Sequence, residues 1–307
     1  VTGAVTDPSL IVETLRETAT LVRVKIKALG IGRTDKTASA DLTEQKRATP
    51  GASKVVVSRL PGAEKYHRDI VNAQSKARTE LWKLSRQYDE DGWRIMGNDK
   101  VEALMAALGD ANSEFKAALA AMSENAETIV REAEANKGDF DVTIPTVDEL
   151  KTAYTLDIDF MPVPDAAEYR NLPSSFEAKI RKKTTRTTAE SYARGQAEAL
   201  GRLLNPLENF VERMLAYDER VEQGFERGTK DRTGEFRNSL IDKVKAIGSE
   251  LRSFNLDRDP RWEALADQID TLSGSVTADD LRQDHRLRKR SREQAKAVLD
   301  TVKDWGI

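Results

Sequence analysis

Asp157 and Asp159 stand two residues apart in the alternating run Thr155-Leu156-Asp157-Ile158-Asp159-Phe160. On a strand that spacing puts both carboxylates on one face. Such a pair can hold Mg²⁺ together with a substrate phosphate, which makes these two the weak metal candidates of the chain and a Mg²⁺-dependent enzyme the third-ranked function. The same alternation is what a half-buried strand with a solvated acidic face requires, and that plainer reading is preferred. Gly30-Ile31-Gly32-Arg33-Thr34-Asp35-Lys36-Thr37 nearly spells a phosphate-binding loop. That motif needs glycine just before the lysine, so that backbone N–H groups can cradle phosphate. Asp35 occupies the place and would repel the ligand, so the segment reads as a strand-end turn.

His67 and His285 are the only histidines. Each lies among charged neighbours on a helical stretch, and nothing marks either as a positioned base for a nucleophile. The chain has no cysteine, which excludes disulfides, thiol nucleophiles and cysteine zinc sites. Catalytic residues and cofactors are therefore expected to be none, and the balance leans away from an enzyme.

Binding residues are better represented. Trp93 and Arg94, between two long helical stretches, are an interface-tip candidate, because Trp and Arg are favoured anchors; the alternative is Trp93 folding back over the apolar seam. Lys179, Arg181, Lys182, Lys183 and Arg186 surround two Thr-Thr pairs, and Arg282, Arg286, Arg288, Lys289, Arg290, Arg292 and Lys296 crowd the last helix. Either cluster could neutralise the phosphates of a nucleic acid or meet an acidic protein. Between Leu281 and Val298 the only sizeable aliphatic residue is Leu287. The arginine-rich middle is therefore expected to be an exposed bridge, anchored by Leu281 at one end and by Val298, Leu299, Val302 and Trp305 at the other.

The elements that must carry these groups are mostly helical. From Glu64 to Asn136 two apolar stripes follow three-and-four spacing: Tyr66, Ile70, Ala73, Ala77, Leu81, Leu84, Tyr88, and then Val101, Leu104, Leu108, Ala111, Phe115, Ala118, Met122, Ile129, Ala133. They predict two antiparallel helices of roughly 40 Å each, reversing at Asp91-Gly92-Trp93-Arg94 and Gly97, a coiled-coil-like hairpin. Leu81, Leu84, Leu108 and Phe115 are expected at its seam, with Leu84→Ala costing roughly 2–5 kcal/mol. Leu21 to Lys27 alternates apolar with basic and predicts a strand. Arg33 to Ser53 reads as a long polar loop, and Lys54 to Ser58 as a second short strand. Thr146 caps a short helix, and Thr155 to Phe160 is a third strand that pairs with the first. Pro162 and Pro164 force the chain out of the sheet. Beyond Pro173 the chain reads as helix: Thr188 to Leu204 with Tyr192, Gln196, Leu200 and Leu203 inward, then a new or sharply kinked helix at Asn205-Pro206. Phe210, Met214, Val221 and Phe225 face inward on that one. Later helices carry Phe236, Leu240, Val244, Ile247, Leu251 and then Trp262, Leu265, Ile269, Leu272, and a single last helix follows Thr277.

Of the 307 residues 39% are hydrophobic and 33% charged, with a net charge of −3. That is charge-rich for a globular domain and suits long helices with exposed faces; the small net charge does not by itself mark a nucleic-acid binder. No apolar run approaches the roughly 20 residues needed to span a bilayer, and Val1-Thr2-Gly3-Ala4 lacks the marks of a secretory signal, so no membrane partner and a cytoplasmic location are expected.

Several of these features occur in order: the early strand ending near Arg33, Arg59-Leu60-Pro61 before the first long helix, Gly92-Trp93-Arg94 between the helices, Phe115, and Phe160-Met161-Pro162-Val163-Pro164 at the strand exit. Over about residues 21–172 this order resembles a bacteriophage and prophage family of unknown function, often encoded near MoxR-type AAA+ ATPases and von Willebrand A-type proteins. The resemblance implies phage origin, the cytoplasm of an infected bacterial host, and work beside an AAA+ ATPase; it carries no catalytic residues. The expected fold is mainly α: residues 1–172 form an α+β domain with a small antiparallel sheet and the helical hairpin, and 173–307 a helical bundle with a basic last helix. The expected function is a helical adaptor or assembly protein working through protein contacts, with an ATPase or itself as partner. A nucleic-acid-binding protein of phage DNA metabolism is the alternative.

Overall fold

The computed structural model describes residues 7–164, 174–222, 238–274 and 276–305. Expectations that fall on Val1 to Ala4, Pro173, Phe225, Phe236 and the Leu203 side chain lie outside the described residues. The fold is mainly α, with eleven helices among the described residues and a small antiparallel sheet component. The strands are β1 (Ala19–Lys27), β2 (Gly32–Asp35), β3 (Val55–Ser58), β4 (Arg86–Gln87), β5 (Arg94–Gly97) and β6 (Thr155–Pro162). Four of them order as β4-β5-β1-β6, and β2 pairs antiparallel with β3.

The chain divides into two compact units, each discontinuous in sequence. One comprises Val22–Leu84 and Lys100–Phe160; the other comprises Val1–Leu21, Ser85–Asp99 and Met161–Ile307. This grouping cuts the chain at other places than residues 172 and 173.

In the first unit, α3 (Glu64–Leu84) packs along α4 (Val101–Glu124). Ile70, Ala73, Ala77 and Leu81 meet Leu104, Leu108, Ala111 and Phe115, all buried. At 21 and 24 residues these helices reach about 32 and 36 Å, shorter than expected for two reasons. The first stripe ends at Leu84, which is only half-buried. The second helix breaks at Asn125, after which α5 (Ala126–Asn136) carries Ile129 and Ala133 onward. Gln74, a buried amide on α3, donates to the carbonyls of Lys27 and Thr155, each at 2.9 Å. It thereby ties the helix to the end of β1 and the start of β6. Thr146 and Glu149 form a reciprocal cap on α6 (Val147–Thr152), as their spacing predicts. The stretch 33–53 is not a plain loop. It contains β2 and then α2 (Lys36–Gln45), because Asp35 caps the helix through the Ala38 N–H at 2.8 Å.

In the second unit, α7 (Ser174–Glu222) is one helix of 49 residues running through Pro206. An interior proline costs roughly 3 kcal/mol. Here Leu200, Leu207, Phe210 and Met214, on both sides of it, are buried in a single cluster, so packing offsets the missing bond and no new helix starts. Val221, expected inside, is exposed. The same cluster takes in α8 (Asn238–Phe254), α9 (Pro260–Ser273), α10 (Ala278–Gln283) and α11 (His285–Asp304). The expected last helix is thus two, divided at Asp284, whose carboxylate accepts from the N–H groups of Arg286 and Leu287. A smaller cluster gathers Leu15 of α1 (Pro8–Thr18), Leu21, Tyr88, Ile95, Val163, Tyr192 and Leu256. The Tyr192 hydroxyl accepts the Leu256 N–H at 3.1 Å and lies 3.0 Å from Asp257 Oδ1.

Candidate anion-binding surfaces

One member of the acidic pair, Asp159, is already engaged by two cations. Asp159 accepts from Arg23 at 3.0 Å and lies 2.7 Å from Lys25 Nζ, and the two cations of β1 hold its carboxyl below the usual range. Asp157 is exposed beside it. The weak metal candidates Asp157 and Asp159 are corrected accordingly: a carboxylate already shared by two cross-strand cations offers a metal ion a repulsive neighbourhood. Among the described residues no three His, Asp or Glu side chains converge as a metal site would need. Asp35, the residue that spoils the phosphate-loop pattern, is buried. Its second oxygen accepts the Asp141 N–H at 2.9 Å. Those backbone bonds to Ala38 and Asp141 lower its pKa, so the carboxylate is built into the fold.

His67 Nδ1 lies 2.9 Å from the Tyr154 hydroxyl. Burial pushes Tyr154 up to about 12 and pushes His67 below its ordinary value. The neutral imidazole is therefore the folded form, and the protonated tyrosine can donate to it. Since His67 is depressed from 6.5, the unfolded chain binds its proton first as pH falls. The stabilisation is complete above the unfolded value and is lost as pH drops through the lower folded one. NMR titration should give His67 a midpoint below 6.5; a midpoint at or above it would contradict this reading.

Trp93 and Arg94 do not form a free tip. The reversal is a β-hairpin in which Arg86 pairs with Ile95 and Gln87 with Arg94, with Gly92 at φ +86° in the turn. Trp93 is half-buried against the Leu15–Tyr192 cluster. Arg94 is buried, its Nε donating to Ser85 Oγ at 2.8 Å. The interface-tip expectation is corrected: Trp93 packs on a cluster of its own unit, and Arg94 opens a strand whose four residues are all buried.

The last helix also differs from expectation. Arg288, read as part of an exposed bridge, is buried. Its Nε donates to Asp218 Oδ1 at 2.7 Å and its Nη1 to the carbonyls of Leu281 and Arg282, and its guanidinium lies 4.9 Å from the Tyr217 ring. Arg292 donates to the other oxygen of Asp218 at 3.0 Å, and His285 Nδ1 lies 3.2 Å from Asp218. Arg282 pairs with Asp279 at 2.6 Å. The middle of α11 therefore has an inward stripe of Arg288, Ser291 and Ala295 in place of aliphatics. Arg286, Lys289, Arg290 and Lys296 of the named cluster remain exposed.

The other basic cluster stays in solvent. Along the first turns of α7 the partly or fully buried positions are Glu177, Ile180, Thr184, Thr185, Thr188, Ala189, Ser191 and Tyr192, one helical face. Lys179, Arg181, Lys182, Lys183 and Arg186 are exposed. Arg181 and Arg186 have loose partners one turn away, Glu177 at 3.4 Å and Glu190 at 3.6 Å. Phe176, at 60% exposure the joint most exposed large hydrophobic side chain described, lies on this segment with Lys179 Nζ 6.0 Å from its ring.

Sequence reading missed the buried partners Asp218, Arg86 and Ser85. Asp218 carried a signal, since it follows Tyr217 on the inward side set by Phe210 and Met214. Arg86 carried none, because helical periodicity ran through it. Comparison of the chain with protein-family models, curated proteins and solved structures found no match. Among the described residues no helix is long and apolar enough to cross a membrane.

Proposed function

We propose that the protein is a helical adaptor or assembly protein acting through surface contacts, and that the first turns of α7 are its docking element for an acidic surface. The observation that carries this reading is the exposure of Lys179, Arg181, Lys182, Lys183 and Arg186 on consecutive turns beside exposed Phe176. Like charges at that density repel, so the segment gains most when an anionic surface covers it. The internal use of Asp159, Asp35 and Asp218 favours binding over catalysis. The family resemblance adds a phage or prophage origin, and an AAA+ ATPase or a second copy as the partner to try first.

Phe176 favours a second reading of the same face, a nucleic acid, because bases stack on exposed aromatic rings beside cations. Fluorescence anisotropy of the full chain with a labelled DNA duplex and with a labelled poly-glutamate peptide, each across a salt series, separates the two. On duplex DNA each phosphate contact contributes about 0.9 to the log–log salt slope. Changing Lys179, Lys182 and Lys183 together to glutamine should then lower the slope by up to about 2.7. The same changes should weaken peptide binding if the partner is an acidic protein. Affinity for both probes untouched by the triple change would overturn the docking assignment. The matching change of Arg286, Lys289 and Arg290 tests the smaller patch on α11.

A further inference from the structure

Among the described residues the face of α4 turned away from α3 is uncovered. Leu104, Leu108, Ala111 and Phe115 are spent on α3, while Ala106, Gly109, Ser113, Ala117 and Ala120, on the opposite side of the helix, are exposed. Met105 at the edge of this strip is 48% exposed. Gly109 is out of place there, since an interior glycine weakens a helix relative to alanine. No positive φ calls for it, and a Cβ built on it would meet open space. A glycine with no reason inside its own chain marks a place where another surface comes close. The same stretch is acidic. Residues 101–136 hold seven acids against two bases, and every one of the acids is exposed. Lys76 holds Glu114 and Lys137 holds Glu134. Among the described residues Glu102, Asp110, Glu124, Glu127 and Glu132 have no salt bridge, so net negative charge stays on this surface.

The start of α7 is its complement. Lys179, Lys182, Lys183 and Arg186 are spaced by three and four residues, which sets them on one stripe with Phe176 a turn before. Among the described residues the three lysines have no salt bridge, and Arg186 has only Glu190 at 3.6 Å. One surface is cationic with an exposed ring; the other is anionic with an exposed strip of small side chains. We propose that the partner of the α7 face is a second copy of this chain, whose α4 outer face receives it head to tail. This rests on the docking role given to α7 above and names its partner. Phe176 of one copy then lies on Met105, Ala106 and Gly109 of the next, where small side chains let two helices approach closely. The lysines lie among the flanking carboxylates, Asp110 and Glu102 first. Because two different faces meet, the contact is heterologous, and it adds copies until a ring closes.

Sedimentation velocity of the full chain, over a concentration series at low and at high salt, tests this. Larger species should grow with concentration at low salt and fade as salt screens the two faces. Lys179→Glu, Lys182→Glu and Lys183→Glu together should weaken association by about tenfold or more, and so should Glu102→Lys with Asp110→Lys. Each of these variants sets like charges against each other, but mixed one to one they should associate again, since each now offers the charge that the other needs. Gly109→Gln, which puts a side chain into open space, should leave Tm unchanged or higher and still weaken association. Circular dichroism checks that each variant folds; should one reversal not fold, the other and Gly109→Gln decide. A chain that stays monomeric throughout the low-salt series would overturn the proposal. If its α7 lysines then still bind DNA or poly-glutamate, the docking role stands and only the partner is wrong; if they bind neither, both fall. Association that ignores the reversals, or reversed variants that stay apart when mixed, would overturn it as well.

Discussion

Asp218→Ala should destabilise the protein by about 3–5 kcal/mol, the usual cost of removing one partner from a buried ion pair. Asp218 is 7% exposed and Arg288 3%, and the carboxylate accepts from Arg288 and Arg292 on its two oxygens. Without it Arg288 keeps its bonds to the Leu281 and Arg282 carbonyls but has no counter-charge. Asp218→Asn, which keeps an acceptor of the same shape, should cost less than the alanine change. Replacing Arg288 and Asp218 together by apolar residues of similar volume should recover much of the loss, because the desolvation penalty disappears with the charges. Urea denaturation of the single and double variants measures all three. A loss below about 1 kcal/mol for Asp218→Ala would mean that water reaches the pair and that it behaves as a surface bridge.

Phe115→Ala should cost about 3–5 kcal/mol and Leu108→Ala about 2–5 kcal/mol, since both side chains are buried between α3 and α4. Leu84→Ala should cost nearer 1 kcal/mol, because that side chain is only half-buried and large losses need a closed cavity. The order Phe115 and Leu108 well above Leu84 is the checkable outcome in denaturant midpoints. An equal loss at Leu84 would move the seam one turn towards the hairpin.

The helical stripes were legible because a repeat of three and four residues admits one reading: Ile70 to Leu81, Leu104 to Phe115, and Trp262 to Leu272 are buried where their spacing puts them. Thr146 and Glu149 announced their cap for the same reason. The short strands at Arg86 and Arg94 were not legible, because two to four residues carry no period and the helical pattern ran on through Leu84 to Tyr88. Asp284 hid a helix break inside a charged run, since its capping role depends on which N–H groups face it and not on composition. The largest miss concerns charge. A count of cations treats Arg288 and Lys289 alike, yet one is buried on Asp218 and the other is in solvent. Pairing is a property of the distant segment, residues 217 to 218, that the helix packs against. On α7 the inward positions of the basic stretch are Ile180, Thr184 and Thr188, which leaves the lysines outside, so there the cation count and the exposed charge agree.

The docking role of that segment is tested most directly by lysine footprinting. The full chain is acetylated briefly with and without a saturating anionic probe, either the DNA duplex or poly-glutamate, and each lysine is read by mass spectrometry. Acetylation of Lys179, Lys182 and Lys183 should slow at least severalfold with one of the two probes, while Lys76, paired with Glu114 at 2.6 Å, keeps its rate. Unchanged rates at all three α7 lysines under both probes, or uniform slowing across the chain, would contradict the account.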